Sequence, residues 1–247
     1  MKAREGFREQ QKCSACDVHR EGYFCDFAGE VMADFEAIKV TRIYPKDTMM
    51  FAQGQPANGV YIVCQGRAKV SIYSQDGKTV ILRVVQPGDV LGLSATMSDR
   101  THHATAQAVE SCQVNFVSKD AFNKFLKRNP VAALRTIDQL NKNYERACVQ
   151  IRSLALSNSV AERLARLLLS WTRRNGNGHS SCQLRLGFTH EEIGSMIGAS
   201  RETVTRLIKE FKRLGLIEVN GPILTICDAH RLEAMTDEKS NGGELGD

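Results

Sequence analysis

The chain of 247 residues is 42% hydrophobic and 25% charged, the composition of an ordinary globular protein, which excludes fibrous and disordered classes. Its net charge of +5, from 33 Lys+Arg against 28 Asp+Glu, is compatible with a nucleic-acid partner without establishing one. No apolar run approaches the roughly 18 residues of a membrane helix, and the start, MKAREGFREQQK, has no apolar signal core, so the expected location is the cytoplasm, away from membranes.

The length suits two modest domains better than one large one. Residues 1–28 are polar and without a clean period, so they read as an appended segment that something other than a core must order. They hold Cys13, Cys16 and Cys25, three of the eight cysteines, within thirteen residues; the others, Cys64, Cys112, Cys148, Cys182 and Cys227, stand singly. In a cytosolic chain such a cluster more often holds metal or does redox chemistry than forms structural disulfides.

From about 40 to 117 the texture becomes short β-rich runs punctuated by Gly54, Gly66, Gly77 and Gly88, at steps of 12, 11 and 11. Regular turn spacing of this kind predicts a β-roll or jelly roll over 29–129. Lys69 to Tyr73 alternates as a strand, Gln75-Asp76-Gly77-Lys78 makes a hairpin turn, and Thr79 to Val85 returns. Beyond Pro130 the period turns helical, with Ile137, Leu140, Tyr144, Ala147, Ile151 and Leu154 at steps of 3, 4, 3, 4 and 3. A narrow seam on an otherwise polar helix over 130–157 predicts self-pairing in a coiled coil, hence a homodimer, against the alternative of a helix packed on its own β-roll. Ser157-Asn158-Ser159 is a polar break and cap before the next helix, Val160 to Trp171, and an Asn- and Gly-rich loop, 175–178, follows.

Leu184 to Leu186 reads as a short strand, and Thr189 with Glu192 is a capping box for a short helix over 190–197, stopped by Gly198. Ser200 caps a second helix, Arg201 to Leu214, ended by Gly215. Leu216 to Val219, the Asn220-Gly221 turn and Ile223 to Ile226 add a hairpin, so 158–230 predicts a winged helix-turn-helix. Residues 231–247 read as a disordered polar tail. Arg201, Glu202, Thr205 and Arg206 fall in the first two turns of the second helix, where side chains reach base edges when such a helix enters a major groove. Arginine can bond guanine O6 and N7 together, and glutamate can accept from cytosine N4. An exposed helix with a Glu202–Arg206 ion pair is the bland alternative. Across 158–226 ten Lys+Arg face six Asp+Glu, a difference of +4 that is most of the excess of the whole chain.

β-roll, long helix and winged helix-turn-helix together make an α+β chain that resembles the CRP/FNR superfamily of transcription regulators over roughly 35–228. Its strongest motif is Ile193-Gly194-Ser195-Met196-Ile197-Gly198-Ala199-Ser200-Arg201-Glu202-Thr203-Val204-Thr205-Arg206. The resemblance implies a cyclic-nucleotide-binding-like jelly roll, a sequence-specific regulator rather than an enzyme, and palindromic double-stranded DNA, a second copy of the chain and RNA polymerase as partners. Arg201, Glu202 and Arg206 carry over as base readers, and Thr205 sits where fumarate-nitrate regulators carry a serine. The phosphate cassette of the cyclic-nucleotide receptors, Gly-Glu and then Arg-Ser, is replaced here by Gly92-Leu93 and His102-His103, one residue shorter. Leucine cannot accept a ribose hydrogen bond and neutral histidine is no permanent cation, which argues against cyclic AMP; His102 and His103 read as surface residues, with pocket lining as the alternative.

The spacing C-x2-C-x8-C from Cys13 to Cys25 resembles the cluster segment of the oxygen-sensing fumarate-nitrate regulators, which implies an iron–sulfur cluster, 4Fe-4S, as redox sensor. A cubane needs a fourth ligand, and the position that supplies it in those regulators is occupied here by Asn115. Cys112, three residues earlier, is the nearest candidate, with Cys64 in reserve; Cys148, Cys182 and Cys227 read as ordinary buried cysteines. Three other readings of the cluster stay open: a Cys3His zinc site with His19, a reversible disulfide, and no role.

Overall fold

The computed structural model describes residues 13, 16, 24–174, 182–185 and 187–237. His19, the loop over 175–178, Leu186 and the last ten residues of the expected tail lie outside the described residues. The chain divides into two compact units, Met1–Ala147 and Cys148–Asp247. Among the described residues no helix is long and apolar enough to cross a membrane.

The first unit opens with helix α1 (Gly29–Ile38), then strands β1 (Val40–Tyr44), β2 (Met49–Phe51), β3 (Gly59–Gln65), β4 (Ala68–Tyr73), β5 (Thr79–Val85) and β6 (Val90–Leu91). Short α2 (Leu93–Ser98), β7 (Thr105–Ala108), β8 (Cys112–Ser118) and α3 (Lys119–Arg128) complete the roll. All pairings are antiparallel and form two four-stranded sheets, ordered β1-β8-β3-β6 and β2-β7-β4-β5. The expected hairpin is present, with Tyr73 opposite Thr79 and the Ser74 hydroxyl accepting from the Lys78 amide at 3.0 Å. The glycine spacing marks the turns of the roll. Gly66 is held tightly, since its φ is +82° and a Cβ there would stand 2.3 Å from the Ser111 carbonyl oxygen.

Strand alternation divides the apolar residues between two cores. Tyr61 and Val63 of β3 meet Cys112, Val114 and Phe116 of β8 between the sheets. Val60 and Ile62 of β3 and Val117 of β8 face outward, where Met32 and Phe35 of α1 and Phe122 and Phe125 of α3 cover them. Phe24, Phe27 and Cys13 from the N-terminal segment complete this outer core. Phe27 packs against Phe24, Phe35 and Phe125 with ring centroids 5.5, 5.7 and 5.6 Å apart, in edge-on geometry. The segment expected to lack a core is thus ordered by this one, at least around Cys13 and from Phe24 onward.

In helix α4 (Pro130–Leu156) the residues expected to form the seam differ in burial. Ile137, Tyr144, Ala147 and Ile151 are exposed, but Leu140 is half-buried against the outer core and Leu154 is half-buried, touching the position of Gly198. The exposed row instead runs through Leu134, Ile137, Asn141, Tyr144, Cys148 and Ile151, again at steps of 3, 4, 3, 4 and 3. The two rows share Ile137, Tyr144 and Ile151, and periodicity alone cannot tell which second row faces home.

The second unit continues with α5 (Val160–Arg174), β9 (Cys182–Arg185), α6 (His190–Ile197), α7 (Arg201–Arg213), β10 (Ile217–Asn220), β11 (Ile223–Ile226) and α8 (Ala229–Asp237). Its sheet has three strands, ordered β10-β11-β9. Asn220 pairs with Ile223, so the hairpin turn is Gly221-Pro222, one residue later than expected, with Gly221 at φ +57°. Part of the expected disordered tail is helical: Leu232 of α8 is buried, and the Thr236 carbonyl accepts from the Arg166 guanidinium of α5 at 2.7 Å.

Candidate nucleic-acid interface and thiol cluster

Helices α6 and α7 are built as their sequences dictate. The Thr189 hydroxyl accepts from the Glu192 amide at 3.1 Å and the Glu192 carboxylate accepts from the Thr189 amide at 2.9 Å, closing the capping box. Gly198 ends α6 in the left-handed region, φ +64°, and the Ser200 hydroxyl accepts from the Thr203 amide at 3.2 Å to start α7. Gly194 sets how closely the two helices approach, because a Cβ there would lie 2.4 Å from the Ala199 carbonyl oxygen. The end of α6 is held by side chains: Gln150 donates to the Met196 carbonyl at 2.7 Å and Arg163 to the Ile197 carbonyl at 2.6 Å.

This architecture leaves Val204, Leu207, Ile208 and Phe211 buried and Arg201, Glu202 and Arg206 exposed on the opposite side of α7. The ion pairs of the described residues include none between Glu202 and Arg206, so the bland alternative finds no support. The Glu202 carboxyl is held below the usual range by its own backbone N–H and by the Ser200 hydroxyl, so it is an acceptor at neutral pH. Thr205 is already occupied: its hydroxyl donates to the Arg201 carbonyl at 2.9 Å and stands 2.8 Å from His190 Nδ1. Its hydroxyl proton is thus committed within the domain. The basic excess also sorts itself, since Arg163 holds α6 and Arg166 pairs with Glu162 at 2.7 Å, while Lys209, Lys212 and Arg213 on α7 are exposed.

In the first unit, Cys13, Cys16 and Cys25 lie in one another's electrostatic field over the outer face of the β1-β8-β3-β6 sheet. Burial pushes the Cys13 thiol up, and the Lys39 ammonium beside it pulls the other way as charge and as hydrogen-bond donor. Burial pushes Cys25 up to about 11, with Cys13 and Cys16 adding to the rise. Asn115 is the link to the roll: its Nδ2 donates to Cys13 Sγ at 3.5 Å, and its Oδ1 accepts from the Thr41 hydroxyl at 2.8 Å. Cys112 is not brought to this group. It points into the inner core, fully buried, and its thiol contacts the Arg67 and Glu110 carbonyls at 3.1 and 3.3 Å. Positions 112 and 115 differ by an odd number of residues, and in a strand that means opposite faces.

Cys148 and Cys227 are exposed, against the expectation of burial, and the Cys182 side chain lies outside the described residues. Among the described residues no three His, Cys, Asp or Glu side chains converge as ligands of a single ion. Sequence reasoning overlooked the anchors Phe24 and Phe27, the cation Lys39 and the amide of Asn115 as a sulfur partner. A Phe every three residues beside Cys25 was the available clue for the anchors.

Between the roll and α4 lies an open pocket of about 420 Å³ lined by residues including Phe51, Leu82, Arg83, His102, His103, Tyr144 and Arg146. Both histidines line this pocket, the alternative to the surface expectation: His102 is buried and stacks on Phe51 at 3.8 Å, whereas His103 is exposed. Burial, and secondarily His103, lowers the His102 pKa, so it is neutral at pH 7. Asp89 binds Arg146 at 2.8 Å and stands 3.8 Å from Arg83, so both cations near the pocket are partly spent.

Comparison with known proteins identifies two matching family models, a cyclic nucleotide-binding domain over 41–129 and a Crp-like helix-turn-helix domain over 162–235. A CRP-like cAMP-activated global transcriptional regulator of Mycobacterium tuberculosis is 25% identical over 190 residues, covering 76% of this chain and 84% of the relative. An anaerobic regulatory protein of Pasteurella multocida is 28% identical over 205 residues, covering 81% and 73%. The structure of FixK2 from Bradyrhizobium japonicum superposes with a TM-score of 0.72 over 80% of this chain and 97% of that one, at 24% identity, a likeness of fold.

Proposed function

The chain belongs to the CRP/FNR family of DNA-binding transcription regulators, which are not enzymes, and on that premise we propose that it works as a homodimer controlled by an iron–sulfur cluster on Cys13, Cys16 and Cys25. One observation carries the sensing half of this reading: three thiols and a lysine gather where Asn115 joins the N-terminal segment to the sheet. The donor set fits the group, because thiolates are its usual ligands, and Cys13, Cys16 and Cys25 would hold it. When bound, such a cluster supplies one-electron chemistry and sensitivity to oxygen or nitric oxide.

The residues of the chain do the rest. Lys39 favours the thiolate of Cys13, and Asn115 holds that sulfur in place. Phe24 and Phe27 anchor the segment, and Asp26 receives Arg135 of α4 at 3.4 Å, while the same guanidinium lies over the Phe27 ring. A change at the cysteines therefore has a physical route to the helix whose exposed row would pair with a second copy. Pairing would set the distance between two α7 helices, which must enter successive major grooves about 34 Å apart to read a palindrome with Arg201, Glu202 and Arg206. Ligation regulates only if it favours the DNA-competent dimer over the alternative, and in this reading the loaded form binds DNA and then contacts RNA polymerase.

Anaerobic purification tests the proposal: the protein should be coloured, contain iron and acid-labile sulfide, and lose affinity for its palindromic site in air. Colourless protein containing zinc overturns it. The pocket between the roll and α4 favours a second reading, a small molecule as the signal. Calorimetry with cyclic AMP should show no saturable heat, since Leu93 and His102 replace the residues that hold its ribose and phosphate; saturable binding would move the signal to the pocket.

A further inference from the structure

We propose that Cys64, placed by a bulge in β3 beside Asn115, is the fourth protein ligand of the group held by Cys13, Cys16 and Cys25; the inference rests on the cluster reading above. Opposite β3, Val63 pairs with Val114 and Gln65 with Gln113, so Cys64 has no partner of its own across the ladder. A bulge of this kind leaves the extra residue unpaired and re-aims its side chain. The Cys64 sulfur bonds back to the Ile62 carbonyl at 3.6 Å. Ile62 faces the outer core that contains Cys13, and it is the ladder partner of Asn115, whose amide already reaches the Cys13 sulfur at 3.5 Å. Two adjacent positions of one sheet face thus hold a thiol and an amide beside Cys13, while Cys112 lies behind the sheet.

Cys64 also feels the other sulfurs directly. Burial pushes its thiol up to about 12, and Cys25 and Cys13 are the next contributors. A lone structural thiol would not be expected to sit in the field of two more. As a ligand Cys64 would release its proton to solvent as the sulfur–metal bond forms.

The test is iron and acid-labile sulfide per chain after anaerobic purification of wild type, Cys64→Ala, Cys64→Ser and Cys112→Ala, each with a thermal melt. Both Cys64 variants should lose at least about tenfold in iron and sulfide, the scale that even outer-shell partners reach, while Cys112→Ala keeps the wild-type content. Adding Asn115→Cys to Cys64→Ala should restore the content, because a side chain at 115 already reaches Cys13. Wild-type content in Cys64→Ala, equal loss in Cys112→Ala, or an early melt with no rescue by Asn115→Cys overturns the assignment of Cys64. Wild type without iron and sulfide overturns the cluster reading beneath it, a separate outcome.

Discussion

Arg206 and Thr205 stand one residue apart on α7 and should behave differently. Arg206 is exposed and uncommitted to any described carboxylate, so Arg206→Ala should cost about 1–3 kcal/mol on the specific site and relax base preference there, measured by titration against single-base variants. Equal weakening on random DNA would instead mark a phosphate contact. Thr205→Val keeps the methyl and discards a hydroxyl that serves Arg201 and His190, so base preference should hold while α7 loses some stability. The thiols carry a pH signature. Cys25 and Cys64 rise from 9.0 to about 11 and about 12 in the folded chain, so the neutral forms are favoured there. The stability they contribute to the metal-free protein is complete below pH 9 and disappears as pH climbs through 11 to 12. Thermal melts across that window should show a smaller decline in Cys25→Ala than in wild type; identical declines would remove the thiols as the cause.

Among the elements, the helix-turn-helix was the most legible because its information is local. Thr189, Glu192, Gly198 and Ser200 specify caps and stop within a few residues of the backbone groups they satisfy, and α6 spans His190–Ile197, the bounds those residues predict. Gly194 shows the same logic across a turn: Gly194→Ala should lower stability by about 1–3 kcal/mol, since the new Cβ would strike the Ala199 carbonyl, and a melt unchanged from wild type would contradict the packing. Helix α4 was legible in kind and not in facing. Tyr144→Lys should shift the protein toward monomer in sedimentation without lowering the stability of the roll, because Tyr144 is 71% exposed. Leu140→Ala should do the reverse, at less than the about 2–5 kcal/mol of a fully buried leucine, because Leu140 is only half-buried. A dimer lost by Leu140→Ala and kept by Tyr144→Lys would restore the seam read from periodicity.

For the whole molecule, charge and core follow different divisions. Among the described residues of the second unit most exposed cations lie on α7, so DNA affinity should fall steeply as salt rises, with a log–log slope of several for a dimer through counterion release; affinity indifferent to salt would contradict an α7 interface. Composition, turn spacing, helix caps and cysteine motif determined by themselves that the chain has a β-roll, a long helix, a winged helix-turn-helix and a thiol segment, because each depends on residues close in sequence. Which cysteine meets which could not be read in that way. Cys64, Asn115 and Cys13 come from distant parts of the chain, and their meeting depends on strand register and on one bulge. A shift of a single residue in a strand moves a side chain through the sheet, and it is this that sent Cys112 to the inner core and left Cys64 beside Asn115 on the outer face.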